Sequence, residues 1–310
     1  MRKIGWMALL CGALLAGGCD RAEAAKKAPA SAGIPPVAWL ASRVVGEPVS
    51  CALPVGKNPH DYAPSPAVML RLAGASLFFS TGQSFERNLG KALAASGTCV
   101  IDVLDGITRQ PFGEQDYESH DDEFEHDDEF EHDHEHEHEH EHGSGGEALD
   151  PHLWTSPEKC AAIVANIRDA LVLTDPARAE TYRRNAATLL AELAAVKAEV
   201  AKKLEPCRGK TFFVYHPAFG YFASEFGLRQ IGIELGGREP SPARLARVIA
   251  EAKEHRVRTV FVQPQFNPTA AETLAKAIGG EVAELDPLAP NVIENFRRIA
   301  DTIAKGAVQP

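Results

Sequence analysis

Residues Asp175–Pro206, DPARAETYRRNAATLLAELAAVKAEVAKKLEP, hold the longest periodic segment of this 310-residue chain. Leu189, Leu193, Val196, Val200 and Leu204 recur at three- and four-residue steps, which draws one apolar stripe along one helical face. Asp175 is a good N-cap, Pro176 a good first helical residue, and Pro206 stops the run. At 1.5 Å per residue, Pro176 to Glu205 makes a rod about 45 Å long. That length predicts a stiff connector between two domains.

On both sides of this segment strands alternate with helices. Upstream, strands are expected at Val49–Val55, Ser76–Ser80 and Cys99–Leu104. Helices are expected at Pro36–Arg43, from Ser65-Pro66 onward, at Phe85–Ala95 and from Ser156-Pro157-Glu158 onward. Downstream, strands at Thr211–Tyr215, Gln230–Ile233, Thr259–Gln263 and Glu281–Leu285 alternate with helices at Phe219–Phe226, Pro242–His255, Thr269–Ile278 and Asn291–Lys305. Such alternation argues for parallel sheets. The expected fold is α/β: an N-terminal domain over 34–173, a linker helix over 174–205 and a C-terminal domain over 206–310.

The chain opens like an export signal. Arg2 and Lys3 precede an apolar run, Ile4 to Ala16, that is too short to span a bilayer. Leu15-Ala16-Gly17-Gly18-Cys19 looks like a bacterial lipoprotein box, so 1–18 is expected to be removed and Cys19 to carry lipid. Asp20 resembles an inner-membrane retention signal. Residues 19–33, rich in Ala, Lys and Pro, are expected to be a tether, and the mature protein a soluble, anchored monomer of the periplasm.

Of twelve histidines, eight lie in one tract: His120, His126, His132, His134, His136, His138, His140 and His142. It repeats Asp-Asp-Glu-Phe-Glu-His and ends in Glu-His pairs. Imidazoles among carboxylates attract transition metals, and such a composition builds no core, so 114–146 is expected to be a disordered loop. Sixteen of the 43 acidic residues fall between Glu114 and His142, which leaves 27 against 32 Lys and Arg. The net charge of −11 thus belongs to the tract. No basic stripe with interleaved aromatics suggests nucleic acid.

Four cysteines remain once Cys11 leaves with the signal and Cys19 is lipidated: Cys51, Cys99, Cys160 and Cys207. In an exported protein they permit disulfides, and Cys51–Cys99 with Cys160–Cys207 is the sequence-local pairing. Four buried thiols are the alternative. No CxxC spacing suggests structural zinc.

Outside the tract, Pro59-His60, Pro151-His152, His216-Pro217 and Asp286-Pro287 share one setting, a strand end or loop beside a proline. Ligands of open α/β sheets bind beyond the carboxyl ends of strands. Three imidazoles and one carboxylate complete a four-coordinate zinc shell. His255, in a helix between Glu254 and Arg256, reads as a solvated side chain.

These segments carry a resemblance. Gly56-Lys57-Asn58-Pro59-His60-Asp61-Tyr62-Ala63-Pro64-Ser65-Pro66, Asp150-Pro151-His152-Leu153-Trp154 and Val214-Tyr215-His216-Pro217-Ala218-Phe219-Gly220-Tyr221-Phe222 are similar, in order, to the three ligand motifs of zinc and manganese ABC-transporter substrate-binding proteins of cluster A-I. Glu239-Pro240-Ser241-Pro242 and Glu284-Leu285-Asp286-Pro287-Leu288 match later signatures. The resemblance covers nearly the whole mature chain. It implies two four-stranded (β/α)4-type domains with metal in the cleft between them. It also implies His60, His152, His216 and Asp286 as ligands, and delivery to a permease and its ATPase. Departures are a Pro59 where some zinc members have Glu, a Gln263-Pro264 where a Glu is frequent, and a weak first strand over Ala28–Ile34, short or absent.

The function these features favour is a zinc receptor that feeds import, with Zn2+ as cargo and no catalysis. Manganese or iron ranks next, because manganese sites replace a histidine with a second carboxylate. A metal-buffering or adhesin lipoprotein is another alternative. A zinc hydrolase would need an open position for water and a base. Zinc binding is expected to displace protons near neutral pH, since only neutral imidazole ligates.

Overall fold

The structure is a computed structural model that describes residues 28–111, 149–234 and 239–307. The expected signal peptide, Cys19 and the histidine tract lie outside the described residues.

The upstream half runs β1 (Ala28–Ala32), α1 (Pro35–Val45), β2 (Ser50–Cys51), α2 (Pro66–Leu72), β3 (Ala75–Ser80), α3 (Ser84–Ala95) and β4 (Cys99–Asp102), followed by α4 (Pro157–Thr174). The linker α5 covers Ala179–Leu204. The downstream half runs β5 (Thr211–Val214), α6 (Gly220–Phe226), β6 (Arg229–Gly232), α7 (Pro242–Glu254), β7 (Thr259–Val262), α8 (Thr269–Ile278), β8 (Glu281–Glu284) and α9 (Val292–Ala307). Each half holds one all-parallel four-stranded sheet, ordered β2-β1-β3-β4 and β6-β5-β7-β8. Two parallel-sheet domains joined by a long helix were expected, and that is the architecture. No helix among the described residues is long and apolar enough to cross a membrane.

The central strands explain themselves. β3, β5 and β7 read ASLFFS, TFFV and TVFV, near-continuous apolar runs that parallel sheets bury on both faces. β1 does not read that way. Ala28-Pro29-Ala30-Ser31-Ala32 lies where a tether was expected to end and where the resemblance implied a strand, weak and short or absent; it is a central strand between β2 and β3, with Ala30, Ser31 and Ala32 buried. Its small side chains make room where bulk would not fit. A Cβ on Gly33 would lie 1.5 Å from Oε1 of Glu86, which is buried over the end of this strand. β2 is shorter than Val49–Val55, as suits an edge.

Three helices start with the same device. Ser65, Ser156 and Ser241 each precede a proline at the first helical position, and each hydroxyl accepts a backbone N–H, from Val68, Lys159 and Arg244. Asp175 does not cap α5. Pro176–Arg178 forms a 3-10 turn instead, and the Asp175 carboxylate accepts the Tyr182 hydroxyl at 2.8 Å. Tyr182, Ala186, Leu189, Leu193, Val196, Val200 and Leu204 form the buried stripe of α5. One apolar cluster includes that stripe, residues of α1, α4 and α9, and the inner faces of both sheets. The linker is therefore a shared core element rather than a free rod. Interfaces that large and apolar restrain relative domain motion.

The expected disulfides are not formed; Cys51, Cys99, Cys160 and Cys207 are free thiols. Cys51 lies on β2 and Cys99 on β4, the two edges of one sheet. Three interstrand spacings, about 14 Å, separate those edges, far beyond the ~7 Å limit for bridging. The Cys160 thiol donates to the Trp154 carbonyl at 3.1 Å. Burial pushes the Cys51 thiol up to about 12 and that of Cys160 well above the ordinary range.

Candidate metal centre

The loops beyond the carboxyl ends of the strands meet where sequence placed the ligands. His60 follows β2, His152 precedes α4, His216 follows β5 and Asp286 follows β8. The structure brings the three histidines together: one ring nitrogen from each lies within 4.8 Å of the others. His216 Nε2 is 3.2 Å from His152 Nε2 and 3.4 Å from His60 Nε2. An ion about 2.0–2.1 Å from each nitrogen at tetrahedral angles needs nitrogens about 3.3 Å apart. The two separations about His216 therefore match a tetrahedral zinc-sized cation.

Two of the three rings are fixed from behind. His152 Nδ1 lies 2.8 Å from Asp150 Oδ1, which also accepts the His152 backbone N–H at 2.8 Å. His216 Nδ1 bonds the carboxylate of Glu234, a residue with no exposed surface. With Nδ1–H donated to a carboxylate, the lone pair sits on Nε2 in both rings, aimed at the shared centre. Two such lone pairs 3.2 Å apart repel unless a cation lies between them. Further supports hold each ring. Phe266 stacks on His216, centroids 5.0 Å apart at 22°. Trp154 packs edge-on to His152, and its indole N–H reaches the Pro287 carbonyl at 2.9 Å.

Gln263 stands where a carboxylate is frequent in the resembling family, and here it braces His216. Its Oε1 accepts the His216 N–H at 3.1 Å and its Nε2 donates to the His216 carbonyl. His60 is held less firmly. It is exposed, and its backbone N–H bonds Asn58 Oδ1 at 3.0 Å. The protein packed around its ring lowers its pKa to about 4, helped by the neighbouring imidazoles of His216 and His152. Burial also lowers the pKa of His216, against the pull of Glu234. His60 is thus already neutral at neutral pH and offers its lone pair there without losing a proton.

Asp286 is not in the three-histidine group. Its Oδ1 accepts the Gln265 side-chain amide at 2.7 Å and the Leu288 N–H at 2.9 Å. His255 is exposed at the end of α7, as expected.

Sequence reasoning gave no role to Asp150, Glu234, Gln263 or Phe266. Asp150 could have been found, because an Asp two residues before a ligand bonds the ligand's backbone as an Asx turn does. Glu234 carried only a faint signal, an acid just after the expected strand Gln230–Ile233.

A sequence profile described as "Zinc-uptake complex component A periplasmic" (ZnuA) matches residues 31–306. The high-affinity zinc uptake system protein ZnuA of Yersinia pestis is 30% identical over 267 residues, 84% of this chain and 83% of that one. The zinc-binding lipoprotein AdcA of Streptococcus pneumoniae is 29% identical over 296 residues, 93% of this chain. The match spans only 56% of AdcA, so this chain corresponds to little more than half of that relative. Among solved structures, a zinc-bound deletion mutant of ZnuA superposes with a TM-score of 0.76 at 30% identity, covering 92% of this chain and 100% of that one. Two parallel-sheet domains, a convergent histidine cluster and a profile match over most of the sequence lead to one conclusion: the chain belongs to the ZnuA family of periplasmic zinc-uptake components.

Proposed function

We propose that this protein captures Zn2+ between its two domains and hands it to an ABC permease powered by an ATPase. The observation that carries this reading is the spacing of the three Nε2 atoms, 3.2 and 3.4 Å about His216. His60, His152 and His216 supply nitrogen, and Asp286 supplies the fourth ligand once its carboxylate turns from Gln265. Three imidazoles favour zinc over manganese, which takes more oxygen. Shells filled by four side chains leave no position for a catalytic water, which favours binding over hydrolysis.

The histidine tract is an accessory collector in this scheme. It draws cations by charge, while ordering its own ligands around one ion costs conformational entropy. Cys19 anchors the mature protein to the inner membrane, and the receptor works as a monomer. The test is metal analysis and competition titration of the protein with and without residues 114–142. One tight zinc should survive deletion and vanish in His216→Ala. Metal-dependent turnover of a hydrolysable ester, or tight binding lost with the tract alone, would sink the reading.

A further inference from the structure

The sheet of the C-terminal domain has a second concavity at its opposite end. A cavity of about 590 Å³, with His255 in its lining, opens at the amino ends of β5, β6 and β7, the ends away from His60, His152 and His216. Lys210, Arg229, Arg256 and Arg258 line it, and no acidic residue does so among the described residues. Arg229 makes one long ion pair, 3.9 Å to Glu251, while Arg256 and Arg258 make none among the described residues.

Two independent observations mark this cavity as built for a ligand. Thr259 lines it, is 3% exposed, and its Oγ1 has no hydrogen-bond partner. A buried hydroxyl left unpaired costs about 1–3 kcal/mol, and such groups in native proteins are rare. Arg256 has φ 53°, the one positive φ on a non-glycine residue among the described residues. It sits just past α7, where the Val257 N–H closes back on the Ala252 carbonyl at 2.9 Å. Glycine is favoured at that position, so an arginine there holds backbone strain. Strain retained beside a cavity points to a role for the side chain that causes it.

We propose that this cavity binds a phosphate ester. The guanidinium forks of Arg256 and Arg258 match the oxygens of a phosphate, and their two charges offset the one of a diester or the two of a monoester. The volume falls in the range of small-molecule sites, and Phe212 and Phe261 on its wall offer an apolar surface for the esterified group. The shared chemistry could come from a soluble phosphate monoester or a phospholipid headgroup.

The test uses the full chain carrying Cys19→Ala, which removes the proposed lipid anchor, titrates it with phenyl phosphate and with inorganic phosphate, and floats it with vesicles containing phosphatidylglycerol or phosphatidylcholine alone. Phenyl phosphate should bind saturably and more tightly than inorganic phosphate. The double variant Arg256→Gln with Arg258→Gln should weaken binding at least tenfold. Arg256→Gly keeps the turn, so it should raise Tm while still weakening binding. His216→Ala should leave binding unchanged. Flotation lost in the double variant assigns the headgroup source, and binding of phenyl phosphate without flotation assigns the soluble one. Binding indifferent to the arginines, no binding of either probe, inorganic phosphate as tight as the ester, or loss in His216→Ala would each overturn the proposal.

Discussion

His152 and His216 differ from His60 in how they are held. The first two are 4% and 5% exposed, and each is locked through Nδ1 by a buried carboxylate. His60 rides an exposed loop and has no hydrogen bond to Nδ1 among the described residues. Two nitrogens are therefore pre-organised, and the third can leave. A receptor has to bind its ion and also release it. On the proposed function, His60 would be the ligand that admits and frees the cation, while the braced pair would set geometry and selectivity.

The largest effect should come from His216→Ala, because its Nε2 is the atom near both others. Chelator competition should show zinc affinity falling by more than about 100-fold, beyond the ~10–100-fold cost of losing a supporting group. A loss no greater than that of a Glu234 variant would break the assignment of His216 as the central ligand. Next comes His60→Ala. It should also lose tight zinc, yet leave the metal-free Tm nearly untouched, since exposed substitutions stay within about 0.5 kcal/mol. Equal destabilisation by both histidine variants would erase the contrast between braced and free rings.

Glu234→Gln should weaken zinc about 10–100-fold without removing a ligand. The amide can no longer accept the Nδ1 proton as a carboxylate does. Gly220→Ala probes the other brace. A Cβ there would come within 2.8 Å of Asp150 Oδ2 and push the carboxylate that orients His152. Its effect should be smaller than that of Glu234→Gln, and it is read by the same titration. Unchanged affinity in both variants would show that the braces serve the fold alone.

The smallest effect is in pH. His60 has its pKa lowered to about 4 from the 6.5 of a free imidazole, and burial lowers His216 too. Between about pH 6.5 and 4 the unfolded chain binds protons there that the folded chain does not, so these rings reduce metal-free stability as pH falls across that window. Glu86 acts in the opposite sense. Burial raises it to about 7, so the fold holds its proton between about pH 4.5 and 7, and that contribution is lost as pH rises. The share of His60 is the difference between wild type and His60→Ala in thermal melts across this range.

Much of the fold was legible because β3, β5 and β7 are near-continuous apolar runs and the α5 stripe repeats at helical spacing. β1 was not. Alanine, serine and proline have little strand propensity, and what holds them in the sheet is pairing with β2 and β3 on either side. The three histidines were legible from their shared setting beside prolines at loop and strand ends. Their braces were not, because Glu234 reaches His216 only after β5 and β6 pair. The cysteine pairing misled for a related reason. Nearness in sequence says nothing about which sheet edge a strand occupies.

Sequence by itself determined the alternation of strands and helices, the long stripe from Leu189 to Leu204, and the residue types able to hold zinc. These follow from periodicity and from side-chain chemistry, which are local. Tertiary structure alone decided that β1 lies centrally, that α5 is half-buried by both domains, and that His60 converges on His152 and His216 while Asp286 stays bound to Gln265. Convergence depends on which strands are neighbours and how far each loop reaches, and strand order is fixed by burial summed over the whole chain.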